Sequence, residues 1–172
     1  MAHKFTVQQR KNHRIGVFVD VSNMYHSAKN LYQSRVNFGE LLKLAGAGRQ
    51  LVRAVAYVVK SDTEEEKAFF SALEKAGFEL KSKDLQVFPG GMKKGDWDVA
   101  VAIDAISLSK QLDVVVLVSG DGDYEPLVEY LKYSGVIVEV MGFRRSTSSK
   151  LIEVANNFID LEEVKDKIIL KK

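Results

Sequence analysis

Residues 114–119 (VVVLVS) run without any alternation of polar and apolar side chains. A strand with one wet face alternates, so this run reads as a strand covered on both faces, the habit of a parallel sheet. The rest of the chain repeats the theme. Residues 14–20 (RIGVFVD), 51–59 (LVRAVAYVV) and 136–141 are β-branched runs that read as strands. Residues 78–81, 85–88 and 158–161 are shorter candidates, and Pro89-Gly90-Gly91 breaks the chain after the second of them.

Helical patterns fill the intervals. One follows Asp20 through Ala45 and is expected to break near Asn37. Another spans 63–76, capped by Asp62 or Thr63, with Glu64, Glu65 and Glu66 in its first turn and Gly77 at its end. Residues 97–110 are apolar nearly all round and predict a buried helix. Residues 124–133, with Pro126 in the first turn, and 149–155 complete the set. Alternation at this pace predicts a three-layer α/β/α fold around a mostly parallel sheet with right-handed crossovers.

At 172 residues there is room for one domain. We expect it over 14–161, with a basic N-terminal tail at 1–13 and a charged tail or helix at 162–172. Zero cysteines exclude thiolate metal sites and cysteine nucleophiles. No apolar run approaches the roughly 20 residues of a membrane span, and the first residues lack the apolar stretch of a secretory signal, so a cytoplasmic location without membrane attachment is expected. Net charge is only +2, but Lys4, Arg10, Lys11 and Arg14 gather at one end and Lys165, Lys167, Lys171 and Lys172 at the other. Such ends serve first as solubilising tails and second as arms that touch nucleic-acid phosphates.

In open α/β sheets ligands collect at the carboxyl ends of the strands. Three strands here end suggestively: Asp20-Val21-Ser22-Asn23, Ser119-Gly120-Asp121-Gly122-Asp123, and Gly142 through the run Arg144-Arg145-Ser146. Asp121-Gly122 alone is a turn signal and Asp123 alone would serve as a helix cap. Asp20 at the same edge weakens that bland reading, because one cap does not need two aspartates. Lys94-Gly95-Asp96-Trp97-Asp98 adds acids at a helix start, where either aspartate could be the cap. Helical geometry sets Asp104 about 120° around the axis from Asp98, so the two do not share a face. Asp98 is therefore the expected ligand, with Asp104 behind it or merely exposed.

Two carboxylates about 4 Å apart repel by roughly 4 kcal/mol at an effective dielectric near 20. A cluster must be protonated, paired with lysine or arginine, or bound to a cation. Oxygen donors without His or Cys suit Mg²⁺ or Mn²⁺, and such a site can polarise a phosphodiester and activate water. The expected catalytic and metal-holding residues are Asp20, Asp98, Asp121 and Asp123. Asn23, Ser119, Asp96 and Asp104 would support them, and Lys94, Arg144, Arg145 and Ser146 would meet substrate phosphates.

These residues resemble the NYN domain family in its LabA-like branch, whose fold is related to PIN and FLAP nucleases. The resemblance runs through VFVDVSNMY (17–25), KKGDWDVAVAIDA (93–105), VVVLVSGDGDYEPLV (114–128) and SSKLIEVANNFIDL (148–161), in the family's order and spacing. It implies a PIN-like (Rossmann-like) topology and a metal-dependent ribonuclease-like site. Its first-strand aspartate falls on Asp20, its asparagine on Asn23, its helix-start acid on Asp98 with Asp104 following, and its SGDxD pair on Asp121 and Asp123. The segment around Asp96 carries an extra residue, which leaves Asp96 and Asp98 as alternatives. Asn156-Asn157 stands where an Ala-Asp pair is usual. The implied partner is nucleic acid, RNA first, and a homodimer is compatible with the resemblance.

A haloacid-dehalogenase-type phosphatase needs an aspartate two residues after Asp20, where Ser22 stands. The glycine patterns of dinucleotide-binding and P-loop folds are absent. A non-catalytic RNA-binding or regulatory module of the same fold is the alternative from another class.

Overall fold

The computed structural model describes residues 8–90, 93–94 as backbone only, and 96–171. Its six-stranded sheet uses β1 (Arg14–Asp20), β2 (Gln50–Lys60), β3 (Glu79–Asp84), β6 (Val114–Val118), β7 (Ile137–Gly142) and β8 (Asn157–Asp160), in the order β3-β2-β1-β6-β7-β8. Every neighbouring pair is parallel. The two short strands β4 (Gln86–Val87) and β5 (Lys93–Lys94) form a separate antiparallel ribbon. The long apolar run is β6, fourth in the sheet and buried at all five positions, each side chain contributing roughly 1.5–3 kcal/mol by leaving water.

Helices cover both faces. On one, α1 (Val21–Tyr32), α2 (Phe38–Gly46), α3 (Glu64–Ala76) and α7 (Lys165–Ile168) close a core around Val17, Val19, Leu41 and Leu73. On the other, α4 (Asp98–Leu108), α5 (Glu125–Tyr133) and α6 (Ser149–Val154) close a second around Phe18, Leu117, Leu127 and Leu151. This is the three-layer architecture expected. The break near Asn37 is present, with Asn37 capping α2 through Glu40 N–H. Thr63, not Asp62, caps α3, and Gly77 ends it in the left-handed region at φ 109°.

One expectation is corrected. The apolar stretch at 97–110 is not buried all round: α4 packs Val101 and Ala105 inward, while Val99 and Ile103 are 73% and 58% exposed. Unbroken apolar composition removes the periodicity that would mark a wet face, so sequence could not show which side lacks a cover.

Strand order reverses between β1 and β6: β1 leads through α1 and α2 to β2 on one side, and β6 leads through α5 to β7 on the other. The carboxyl ends of these two neighbours, where Val19 pairs with Val118, open a crevice in which doubly wound sheets bind ligands. Away from that edge the sheet carries a buried ion pair. Glu139 on β7 accepts from both terminal nitrogens of Arg49, at 2.8 and 3.1 Å, and from Asn157 Nδ2 at 3.2 Å.

Candidate metal centre

Asp20 is the last residue of β1 and the N-cap of α1. Its buried carboxylate accepts Asn23 N–H at 3.1 Å and the Tyr124 hydroxyl at 3.2 Å. Burial pushes this carboxyl up, and the two hydrogen bonds offset part of the rise, while Asp121 and Asp96 add to it. Tyr124 is itself buried beside Asp20 and Asp98, which raises its phenol far above the ordinary value and keeps it a donor.

The loop after β6 is held by polar contacts from both sides. Asn23 Oδ1 accepts Gly120 N–H at 2.9 Å, and the fully buried Ser119 accepts Asp121 N–H on its hydroxyl at 3.2 Å. Asp121 Oδ1 takes Asp123 N–H at 3.0 Å, which turns both side chains at the start of the next helical turn. Gly120 is required by close approach: a Cβ there would sit 2.2 Å from the carbonyl oxygen of Ser146. The 144–148 loop is thereby docked on the aspartate loop, through Ser148 N–H to Gly120 O at 2.9 Å as well.

Asp98 arrives from the first turn of α4. Carboxylate oxygens of Asp98, Asp121 and Asp123 lie within 4.8 Å of one another. Asp20 stands outside that set but close enough to raise Asp98. Burial is the first cause of the Asp98 rise, followed by the charges of Asp121, Asp20, Asp96 and Asp123. One Asp98 oxygen, Oδ1, is buried with no hydrogen-bond partner. Among the described residues no lysine or arginine forms an ion pair with any of these aspartates. Converging hard oxygen donors, one of them orphaned and none ion-paired among the described residues, suit a hard divalent cation.

The other expected residues are placed differently. Asp96 is exposed and acts on Asp20 and Asp98 through its charge. Asp104 accepts the Tyr57 hydroxyl and Lys81 Nζ, both at 2.7 Å. Burial would raise it, but those partners win and hold it below the usual carboxylate range. Arg144 is bound to Asp160 at 2.9 Å and lies over the Phe158 ring; Arg145 is bound to Glu162 and lies over Tyr32. Ser146 packs its backbone on Gly120 and donates its N–H to Phe143 O. The Lys94 side chain, like Lys4, Gly91, Gly95 and Lys172, lies outside the described residues.

Sequence reasoning missed Tyr124 and the structural demand on Gly120. A tyrosine directly after Asp123 reads as an ordinary core aromatic of a helix start. Only the β1–β6 adjacency brings its hydroxyl to Asp20.

Comparison with known proteins agrees with the fold. A crystal structure of a protein of unknown function from Vibrio parahaemolyticus superposes with a TM-score of 0.85 at 34% identity, covering 95% of this chain and all of that one. The low amplitude and bright protein LabA of Synechococcus elongatus is 23% identical over 170 residues, covering 88% of this chain and 86% of its own. Residues 14–162 match the NYN domain, and the chain belongs to that family.

Proposed function

We infer that this protein is a divalent-metal-dependent nuclease hydrolysing phosphodiester bonds of RNA, single-stranded or structured. The observation that carries the reading is the convergence of Asp98, Asp121 and Asp123 at the strand-order switch point, with no lysine or arginine among the described residues ion-paired to them. These three would hold a Mg²⁺ or Mn²⁺ ion, with Asp20 at the same crevice. When bound, the ion supplies a positive charge that polarises the phosphodiester and lowers the pKa of water.

The chain's own groups set the stage for that chemistry. Tyr124 donates to Asp20 and fixes which lone pairs remain free. Asn23 and Ser119 lock the amides of Gly120 and Asp121, so the two loop aspartates are presented by a rigid turn rather than a mobile one. All four carboxylates come from one chain, so the centre needs no second copy. No helix among the described residues is long and apolar enough to cross a membrane, and a cytoplasmic site of action fits the reading.

The test is a cleavage assay on single-stranded and structured RNA, with DNA in parallel. Cleavage is expected with Mg²⁺ or Mn²⁺, abolished by EDTA, and reduced at least about 100-fold by Asp121→Asn. RNA binding that persists in EDTA and in Asp121→Asn, with no cleavage in any metal, would establish the non-catalytic module instead. Phosphate release from small phosphomonoesters with RNA left intact would establish a phosphatase.

A further inference from the structure

An acidic crevice repels the polyanion it is read to cleave, so cations near it must hold the strand. Arg144 and Arg145 are already engaged by Asp160 and Glu162. Among the described residues Lys29, Arg35 and Lys171 form no ion pair, and all three line one open groove of about 490 Å³. One wall is α1. Ser22, Tyr25 and Lys29 fall within an arc of about 60° on that helix, a stripe that starts two residues after Asp20, and Gln33 caps its far end. Tyr25 is about 7.5 Å of helix rise from Asp20 and Gln33 about 20 Å.

The opposite wall is the C-terminal segment, which is pinned rather than loose. Ser34 Oγ donates to Leu170 O at 2.6 Å, Leu170 N–H to Arg35 O at 2.9 Å, and Asn37 N–H to Ile168 O at 2.7 Å. The Tyr25 ring, 43% exposed, sits under Lys29 Nζ at 5.6 Å and edge-on to His26 at 5.4 Å. An exposed ring flanked by unpaired cations is the pattern of single-strand recognition, where bases stack and the groove tracks the phosphates.

We propose that this groove binds single-stranded RNA running from the acidic crevice, with Lys29, Arg35 and Lys171 on phosphates and Tyr25 stacking an unpaired base. The proposal rests on the nuclease reading of the crevice and extends it to a strand path.

Fluorescence anisotropy of the full chain with a labelled RNA of about twelve nucleotides, in EDTA and across a salt series, tests it. The double variant Lys29→Glu/Arg35→Glu is expected to weaken binding at least about 10-fold and to flatten the log–log salt slope by about 1.4, two contacts at about 0.7 each. Tyr25→Ala is expected to weaken single-strand binding about 5-fold or more with the salt slope unchanged. Wild-type affinity and slope in the double variant would overturn the proposal, as would equal affinity for duplex RNA with no effect of Tyr25→Ala, or no RNA binding by the wild type. Groove-dependent binding without metal-dependent cleavage would overturn the nuclease reading and leave the groove. Metal-dependent cleavage with a double variant that binds like wild type would do the reverse.

Discussion

Asp98 and Asp104 sit six residues apart on α4 and meet opposite fates. Asp104 has a lysine and a tyrosine hydroxyl at 2.7 Å and titrates below the usual carboxylate range. Asp98 has an oxygen with no partner, and burial first and four acidic neighbours next push its carboxyl up. Glu139, the buried carboxylate of β7, follows the Asp104 rule, being matched by Arg49 and Asn157. Where this fold uses charge to hold itself together, it supplies partners. Among the described residues, the crevice between β1 and β6 is where carboxylates gather without an ion-pair partner, a costly arrangement that a bound cation would relieve.

The difference between these two aspartates can be broken in stages. The largest effect is expected from Asp98→Asn: RNA cleavage should drop at least about 100-fold, while the metal-free protein becomes more stable. Relief of repulsion by about 1 kcal/mol corresponds to a melting midpoint higher by roughly 2–4 °C for a domain of this size. A variant that loses activity and also loses stability would mean Asp98 is structural. Asp104→Ala should behave in the opposite way, costing about 1–3 kcal/mol in denaturant unfolding because Lys81 and Tyr57 lose their acceptor. Its cleavage rate should stay within about threefold of wild type, since Asp104 holds Lys81 and Tyr57 rather than the carboxylate set.

The smallest effect is in pH dependence. Asp98 and Asp20 have folded-state pKa values raised above the unfolded value near 4. Their stabilising contribution is therefore complete below about pH 4 and is lost as pH rises through the raised values. Asp104, lowered, contributes stability above about pH 4 and loses it as pH falls through its depressed value. Melting curves in chelator should show Asp98→Asn gaining on wild type as pH rises past about 4 and then levelling off. A gap that is constant with pH would remove the electrostatic account of the cluster.

Much of this was readable in the residues because it is local. β6 declared itself by lacking alternation, and Asp20, Asp121 and Asp123 by ending strands that a parallel sheet must open on one edge. The chain's partners across the sheet were not readable. Arg144 and Arg145 look free in sequence because Asp160 and Glu162 come 16 and 17 residues later, beyond a helix and a parallel crossover. Tyr124 meets Asp20 across 104 residues, and Asn23 meets Gly120 across 97. Helical periodicity did separate Asp98 from Asp104, but composition alone could not say that α4 would leave Val99 and Ile103 in solvent.

The central claim is that the uncompensated carboxylates are there for a cation. Calorimetric titration of Mn²⁺ into the wild type and into Asp121→Asn at pH 7 tests it without any substrate. Saturable binding in the wild type, lost in Asp121→Asn and kept in Asp104→Ala, is the predicted result. Equal binding in wild type and Asp121→Asn, or no binding in the wild type, would contradict it.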